Sequence, residues 1–301
     1  MKSGKKKGYF FTFYEINSGK GLYFMLVDSN LPVDRDRLKN RLIRLVKEDE
    51  DILGCFFSGS IGTKTEDNYS DIDARIIVKD GINLKRKQVG IIRSIGQYLF
   101  IEKLEERSSI IHYDTFIKLD LFIYTVDELE PSIWMKEINI VKDFGLLEEL
   151  CEKSQRLSYS ITQREFDQLL HSYYADYFEL YRCWKREEYN YLEHLTLSMK
   201  HCLVSMWYVS KGYAPNPEMD WAKYEGRKTK LSHLETNFIL SFTPCRVEDL
   251  EEFTKKIEIL VFEAAEKIAT YNRLSFSQET FKKVHRRISF SQEDRDIEIK
   301  E

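Results

Sequence analysis

The chain has 301 residues, 43% of them hydrophobic, which is room and apolar content for two domains of ordinary size with cores of their own. Its 46 basic residues against 50 acidic ones leave a formal charge of −4 and a pI near 6.0, which argues against a protein whose main task is to coat nucleic acid. Five scattered cysteines (Cys55, Cys151, Cys183, Cys202, Cys245) show no CxxC pairing and no apolar run reaches bilayer length, so the expectation is a soluble cytoplasmic protein with reduced thiols, no zinc and no membrane contact.

The first residues, MKSGKKK, are basic and are followed by an aromatic run, GYFFTFYEI, without the longer apolar core and small-residue cleavage site of a signal peptide. Residues 1–30 are read as an N-terminal extension, either a hairpin around Gly19-Lys20-Gly21 or sequence upstream of a start at Met25. Over residues 33–47, VDRDRLKNRLIRLVK places Leu38, Leu42 and Leu45 on one stripe with basic side chains opposite, which predicts an amphipathic helix.

Residues 52–79, ILGCFFSGSIGTKTEDNYSDIDARIIVK, are an apolar run, a Gly-Ser turn, a polar loop, and a second apolar run that opens with two aspartates one residue apart. Strands are predicted over 52–58 and 71–78. Residues i and i+2 of a strand share a face, so Asp71 and Asp73 would stand side by side while Ile72, Ala74 and Ile76 face the other way. Two carboxylates held that close repel, and a hard, oxygen-seeking Mg²⁺ between them is the usual remedy where a substrate carries phosphates. Gly59 and Ser60 offer a tight turn with backbone N–H groups and a hydroxyl for a triphosphate, and Lys64, with Thr63 and Ser58 in support, could reach its outer phosphates. The bland alternative is a surface loop and an edge strand with two solvated aspartates.

Gly59-Ser60, the eleven-residue step from Ser60 to Asp71, and Asp71-Ile72-Asp73 resemble the signature of the polymerase-beta-type nucleotidyltransferase superfamily. The wording GSIGTKTEDNYSDIDARIIVK is most similar to its small antibiotic-modifying members, the lincosamide and aminoglycoside nucleotidyltransferases. Residues 56–79 carry the resemblance, it extends to about residue 147, and beyond that it is architectural. It implies an α+β chain: a nucleotidyltransferase domain over 31–158, a mixed sheet with helices on one face, followed by an all-α helical-bundle domain over 159–275 that binds the acceptor in the cleft between them. It also implies a third acid on a neighbouring strand.

A second amphipathic helix is predicted over 85–99. The run 116–124, FIKLDLFIY, reads as a strand whose one acid, Asp120, is costly among apolar neighbours unless paired or bound to a cation. Asp120 is therefore taken as the third member of the metal and catalytic set, the alternative being an aspartate at a strand edge paired with Lys118. Asp114 is a weaker candidate, and His112 reads as an ordinary packed side chain. A short helix over 127–135 with Pro131 near its start, an edge strand over 138–143 and a helix over 146–157 complete the domain.

From 163 to 213 the chain reads as two helices interrupted near Arg186, opened by a capping box of Thr162 and Glu165. With segments from about 231 and over 247–271 they would make a four-helix bundle. Lys200, Lys223 or Lys228 could lie over the nucleotide, and Lys223 is carried forward as a nucleotide-binding residue, against a plain reading of solvated charges at a helix end. Tyr173, Tyr174, Tyr177, Tyr181, Tyr189 and Tyr191 suggest an aromatic rim for a sugar-like acceptor, with Asp176 and Glu179 drawing a polycation. Glu165 or Glu193 could serve as base in place of Asp120. Residues 276–301 read as a polar tail.

The function expected is a nucleotidyltransferase, monomer or homodimer, that uses Mg²⁺ and an NTP, with ATP favoured, to modify a hydroxyl of a small molecule such as an aminoglycoside or lincosamide, and so confers antibiotic resistance. A protein-directed adenylyltransferase of the toxin-antitoxin kind, and a nucleotide-binding protein without turnover, are the alternatives. A polynucleotide-directed transferase would need a basic channel, which the acidic balance disfavours.

Overall fold

The structure is a computed structural model that describes residues 30–243 and 245–290. The proposed N-terminal extension thus lies, save for Asn30, outside the described residues. The chain divides into two compact units, residues 1–155 and 156–301.

The first unit is a six-stranded mixed sheet with helices. In chain order it runs α1 (Leu31–Glu48), β1 (Ile52–Phe57), a single turn α2 (Gly59–Gly62), β2 (Ile72–Val78), α3 (Leu84–Ile95), β3 (Tyr98–Leu104), β4 (Ser108–Tyr113), β5 (Lys118–Tyr124), β6 (Asn139–Lys142) and α4 (Leu147–Gln155). The strand order is β3-β4-β5-β2-β1-β6. Only β2 and β5 pair in parallel; the other neighbours are antiparallel.

Pro32 stands in the first turn of α1, where its missing N–H costs nothing, and Asn83 caps α3 by accepting from the Arg86 N–H. Both helices cover one face of the sheet: Leu38, Leu42 and Val46 from α1 and Ile91, Ile92 and Ile95 from α3 meet Cys55, Phe57, Ile72, Ala74, Leu119 and Leu121. Full burial of each such side chain stabilises by about 1.5–3 kcal/mol. Val46, rather than Leu45, completes the buried stripe. The opposite face is covered at one end only, by Leu147 and Leu150 of α4 with Met135 over Phe56 and Ile77. The rest of that face carries the polar residues of β2 and β5.

Two sequence expectations change. The helix expected over 85–99 stops at Ile95, and the chain enters the hairpin β3–β4, which the pattern did not reveal. Register shifts between Tyr98 and Phe100 and between Ile101 and Lys103 break the period-two alternation, and the edge position of β3 leaves Leu99 and Phe100 exposed. The helix expected over 127–135 is two 3₁₀ turns, Val126–Glu128 and Ile133–Met135, parted at Glu130-Pro131, because the residue before proline is held out of the helical region.

Among the described residues the regular elements of the second unit are helices: α5 (Gln163–Lys185), α6 (Tyr189–Ser210), α7 (His233–Ser241), α8 (Leu250–Asn272) and α9 (Gln278–Arg286). Thr162 and Glu165 form the expected capping box on α5. From Met199 to Val209 every side chain of α6 is buried, so this helix is the axis of the unit, packed against α5 and α8. Of the expected polar tail, residues 291–301 lie outside the described residues, while residues 276–290 do not form a loose tail. They place α9 on the bundle, with Phe281 and His285 buried and Phe290 closing over Tyr181 and Trp184.

His285 explains why α9 stays. Its Nδ1–H donates to the Phe281 carbonyl at 2.9 Å, so Nε2 is free to accept from the Tyr173 hydroxyl at 3.0 Å, and the neutral ring is fully satisfied. Burial pushes its pKa down from 6.5 to about 4. An unfolded chain takes up this proton between those values and the folded one does not, so stability falls as pH drops from 6.5 towards 4, by about 3 kcal/mol at the limit. Urea midpoints measured from pH 7 to 4.5 should fall in the wild type, and the slope should flatten in His285→Gln.

Candidate active site

The site grows from the end of β1. After Phe57 the chain turns at Ser58 into α2 with Gly59 at φ +59°, and the Ser58 N–H donates to the Asp73 carbonyl at 3.0 Å, which ties the turn to β2. A Cβ at Gly59 would overlap the Asp73 carboxylate, so glycine is required both by backbone conformation and by this close approach. Ser60 follows, half-buried, in the same turn. The Thr63 hydroxyl is turned inward, 3.1 Å from the Gly59 carbonyl and 2.7 Å from the Thr65 hydroxyl, and holds the turn's shape. Lys64 is exposed at φ +56°.

Between α2 and β2 the loop is pinned from below. Arg35, on the apolar stripe of α1 and 5% exposed, donates through Nη1 to the carbonyls of Asp67 and Ser70. The Asp67 carboxylate in turn accepts from the Tyr69 N–H and the Ser70 hydroxyl. Sequence reading passed over Arg35, although an arginine inside a stripe of leucines signals a buried polar task.

Asp71, Asp73 and Arg75 share the face opposite the helices with Lys118, Asp120 and Phe122 of β5. Parallel pairing sets Asp73 directly against Asp120, and neighbouring strands lie only about 4.8 Å apart. Lys118 Nζ stands 2.8 Å from Asp71 Oδ2 and 3.2 Å from Asp120 Oδ2. The plainer reading of Asp120 therefore has its ion pair, but not its strand edge: β5 lies inside the sheet, between β4 and β2. Asp120 Oδ1 is buried with no hydrogen-bond partner. Burial raises the pKa of Asp73, and the charges of Asp71 and Asp120 add to it. Burial raises that of Asp120 too, against the pull of Lys118. Two residues on, the Arg75 guanidinium lies 4.4 Å over the Phe122 ring.

Among the described residues no three His, Cys, Asp or Glu side chains converge closely enough to hold a metal ion together. The donor chemistry nonetheless fits a hard divalent cation. The carboxylates offer oxygen alone, Asp120 keeps one buried oxygen unspent, and an ammonium already stands where positive charge is called for.

Several candidates in the helical unit are engaged elsewhere. Lys200 is 3% exposed and caps the end of α7, donating to the Phe242 carbonyl at 2.8 Å and the Thr243 hydroxyl at 2.9 Å. Lys223 is an exposed loop residue at φ +66° whose carbonyl accepts from the Tyr208 hydroxyl. Tyr173 and Tyr177 are core residues, which removes them from an aromatic rim, while Tyr189 and Tyr191 are exposed. Glu179 pairs with Arg182 and Arg186, and Glu165 is occupied as the α5 cap. Asp176 accepts from the Ser198 hydroxyl at 2.6 Å. Asp114 is exposed in the turn before β5, and His112 lies in β4, stacked on Phe100 and bonded to Glu102.

The model of the family described as streptomycin adenylyltransferase matches residues 34–286, and the chain belongs to that family. Among solved structures it is similar to an aminoglycoside 6-adenyltransferase from Bacillus subtilis, at 13% identity and a TM-score of 0.38, over 83% of this chain and 98% of that one. It is also similar to a nucleotidyltransferase-like protein from Exiguobacterium sibiricum 255-15, at 11% identity and a TM-score of 0.34, over 79% of this chain and 75% of that one. No curated protein matches it.

Gly59→Ala should cost about 1–2 kcal/mol of stability through its positive φ and weaken nucleotide binding at least about tenfold by displacing Asp73. Gly90→Ala on the exposed side of α3, where a Cβ meets nothing, should leave binding unchanged and hold or raise the melting temperature. Melting curves and titration with a fluorescent ATP analogue measure both.

Proposed function

We propose that this enzyme transfers the nucleoside monophosphate of an NTP, AMP from ATP in the first instance, onto a hydroxyl of a small acceptor, an aminoglycoside or lincosamide antibiotic. The observation that carries this reading is the register of β2 on β5, which sets Asp73 against Asp120 with Asp71 on the same face, beside the Gly59 turn. Family membership makes the chain an enzyme of this class, and the antibiotic acceptor follows the family's description.

In this reading the acceptor oxygen bonds to the α-phosphorus, the bond from that phosphorus to the bridging oxygen breaks, and pyrophosphate leaves. Asp71 and Asp73 would hold Mg²⁺, which would supply charge neutralisation at the triphosphate. Asp120 would complete that site or accept the proton of the attacking hydroxyl; burial raises its pKa, while Lys118, and a cation if bound, pull it down. Ser60 and the α2 turn orient the phosphates, with Lys64 exposed beside them. Lys223 keeps its assignment as a nucleotide-binding residue in this proposal.

Incubation with α-labelled ATP, Mg²⁺ and, in separate arms, streptomycin, other aminoglycosides, lincosamides and lysate proteins tests the reading. Label is expected on an antibiotic, with release of pyrophosphate. Asp71→Asn and Asp73→Asn should lower transfer by at least about 10³-fold with melting temperatures within a few degrees of wild type. Label on protein alone, or full activity in both variants, would overturn the proposal.

A further inference from the structure

We infer that Lys118 is an internal counter-ion of the acidic trio, which must leave the carboxylates before a divalent cation enters and thereby couples cation binding to nucleotide binding. The inference rests on the proposed function. It begins with the oxygens themselves: Lys118 Nζ engages Oδ2 of Asp71, just before β2, and Oδ2 of Asp120 on β5. These carboxylates are the ones assigned to the metal. An ion approaching them in the free enzyme therefore meets a like charge seated on two of the oxygens it needs.

The residue type matters. Lysine carries a compact ammonium on a flexible four-carbon stem, so the charge can be withdrawn by rotation alone. The side chain is 35% exposed, which leaves it a path outward. Arg75, a second cation on this face, lacks that freedom, because its guanidinium is stacked on Phe122. A triphosphate arriving at the α2 turn brings several negative charges and gives the displaced ammonium a new partner. Nucleotide thus removes the obstacle to the cation, and by linkage the cation favours the nucleotide by the same factor.

Manganese is the probe, since unbound Mn²⁺ is counted directly by electron paramagnetic resonance. In full-length, nucleotide-free protein, Lys118→Met should bind Mn²⁺ at least about tenfold more tightly than wild type, within the usual range of coupling between sites, while Lys118→Arg, which keeps the charge, should show no gain over wild type. A wild-type measurement stands beside the variants in case Lys118→Met does not fold. Reductive methylation read by mass spectrometry should modify Lys118 slowly in the free enzyme and faster at saturating Mn²⁺. Equal Mn²⁺ affinity in folded Lys118→Met and wild type, or a methylation rate that Mn²⁺ leaves unchanged, overturns this inference alone. No Mn²⁺ binding in any of these proteins, with nucleotide or without, overturns it together with the proposed function.

Discussion

Crowding of like charge on one sheet face is the constraint to which the first unit is fitted. Asp73 and Asp120 sit on two adjacent strands with Asp71 at the start of one, and at an effective dielectric of about 20 two unit charges about 5 Å apart repel by roughly 3 kcal/mol. That is as much as burying a large aliphatic side chain returns. The unit meets the repulsion in three ways. It raises the pKa values of Asp73 and Asp120, it places the Lys118 ammonium between Asp71 and Asp120, and it buries the reverse face of both strands so fully that neither can slip in register. A one-residue slip would send all three acids into the core under α1 and α3.

The topology follows from the same demand. Asp73 can oppose Asp120 because β2 and β5 run parallel, and parallel neighbours need a long crossover. Here the crossover includes α3 and the β3–β4 hairpin, and the hairpin also covers the free side of β5. That makes β5 an interior strand, so a charged residue on it needs a local partner. Gly59 then lets the chain turn against Asp73 without a side chain in the way. The loop between turn and strand is held by Arg35, whose place on α1 links the helix beneath the sheet to the functional face above it.

How much of this was legible depended on distance along the chain. Asp71, Asp73 and the Gly59 turn lie within fifteen residues, and alternation alone gave their shared face. The acid on 116–124 stood out because charge is rare in such a strand, but its register with Asp73 is set by a pairing across some 47 residues that no local pattern records. Lys118 was visible only as a dull ion-pair partner, since the sequence does not say that it also reaches Asp71, just before β2. β3 was hidden by bulges that destroy its alternation, and α9 by a composition that is polar except where Phe281 and His285 turn inward.

In the helical unit the same logic runs in reverse, because tyrosines and charges that look functional in a sequence are consumed by packing. An eighteen-tyrosine chain with a buried central helix needs hydroxyl partners inside its core. Tyr173 donates to His285, Tyr208 donates to the Lys223 carbonyl, and Tyr224 shares a hydrogen bond with Ser205 at 3.1 Å. Lys200 is spent on the open end of α7 for a similar reason, since orphan carbonyls there would otherwise be buried unpaired. Asp176 is hydrogen-bonded to the Ser198 hydroxyl, and burial raises its pKa, with that hydrogen bond and His194 pulling it down and Glu218 pushing it up. Glu179, by contrast, is satisfied twice by arginine, and those pairs hold its pKa down.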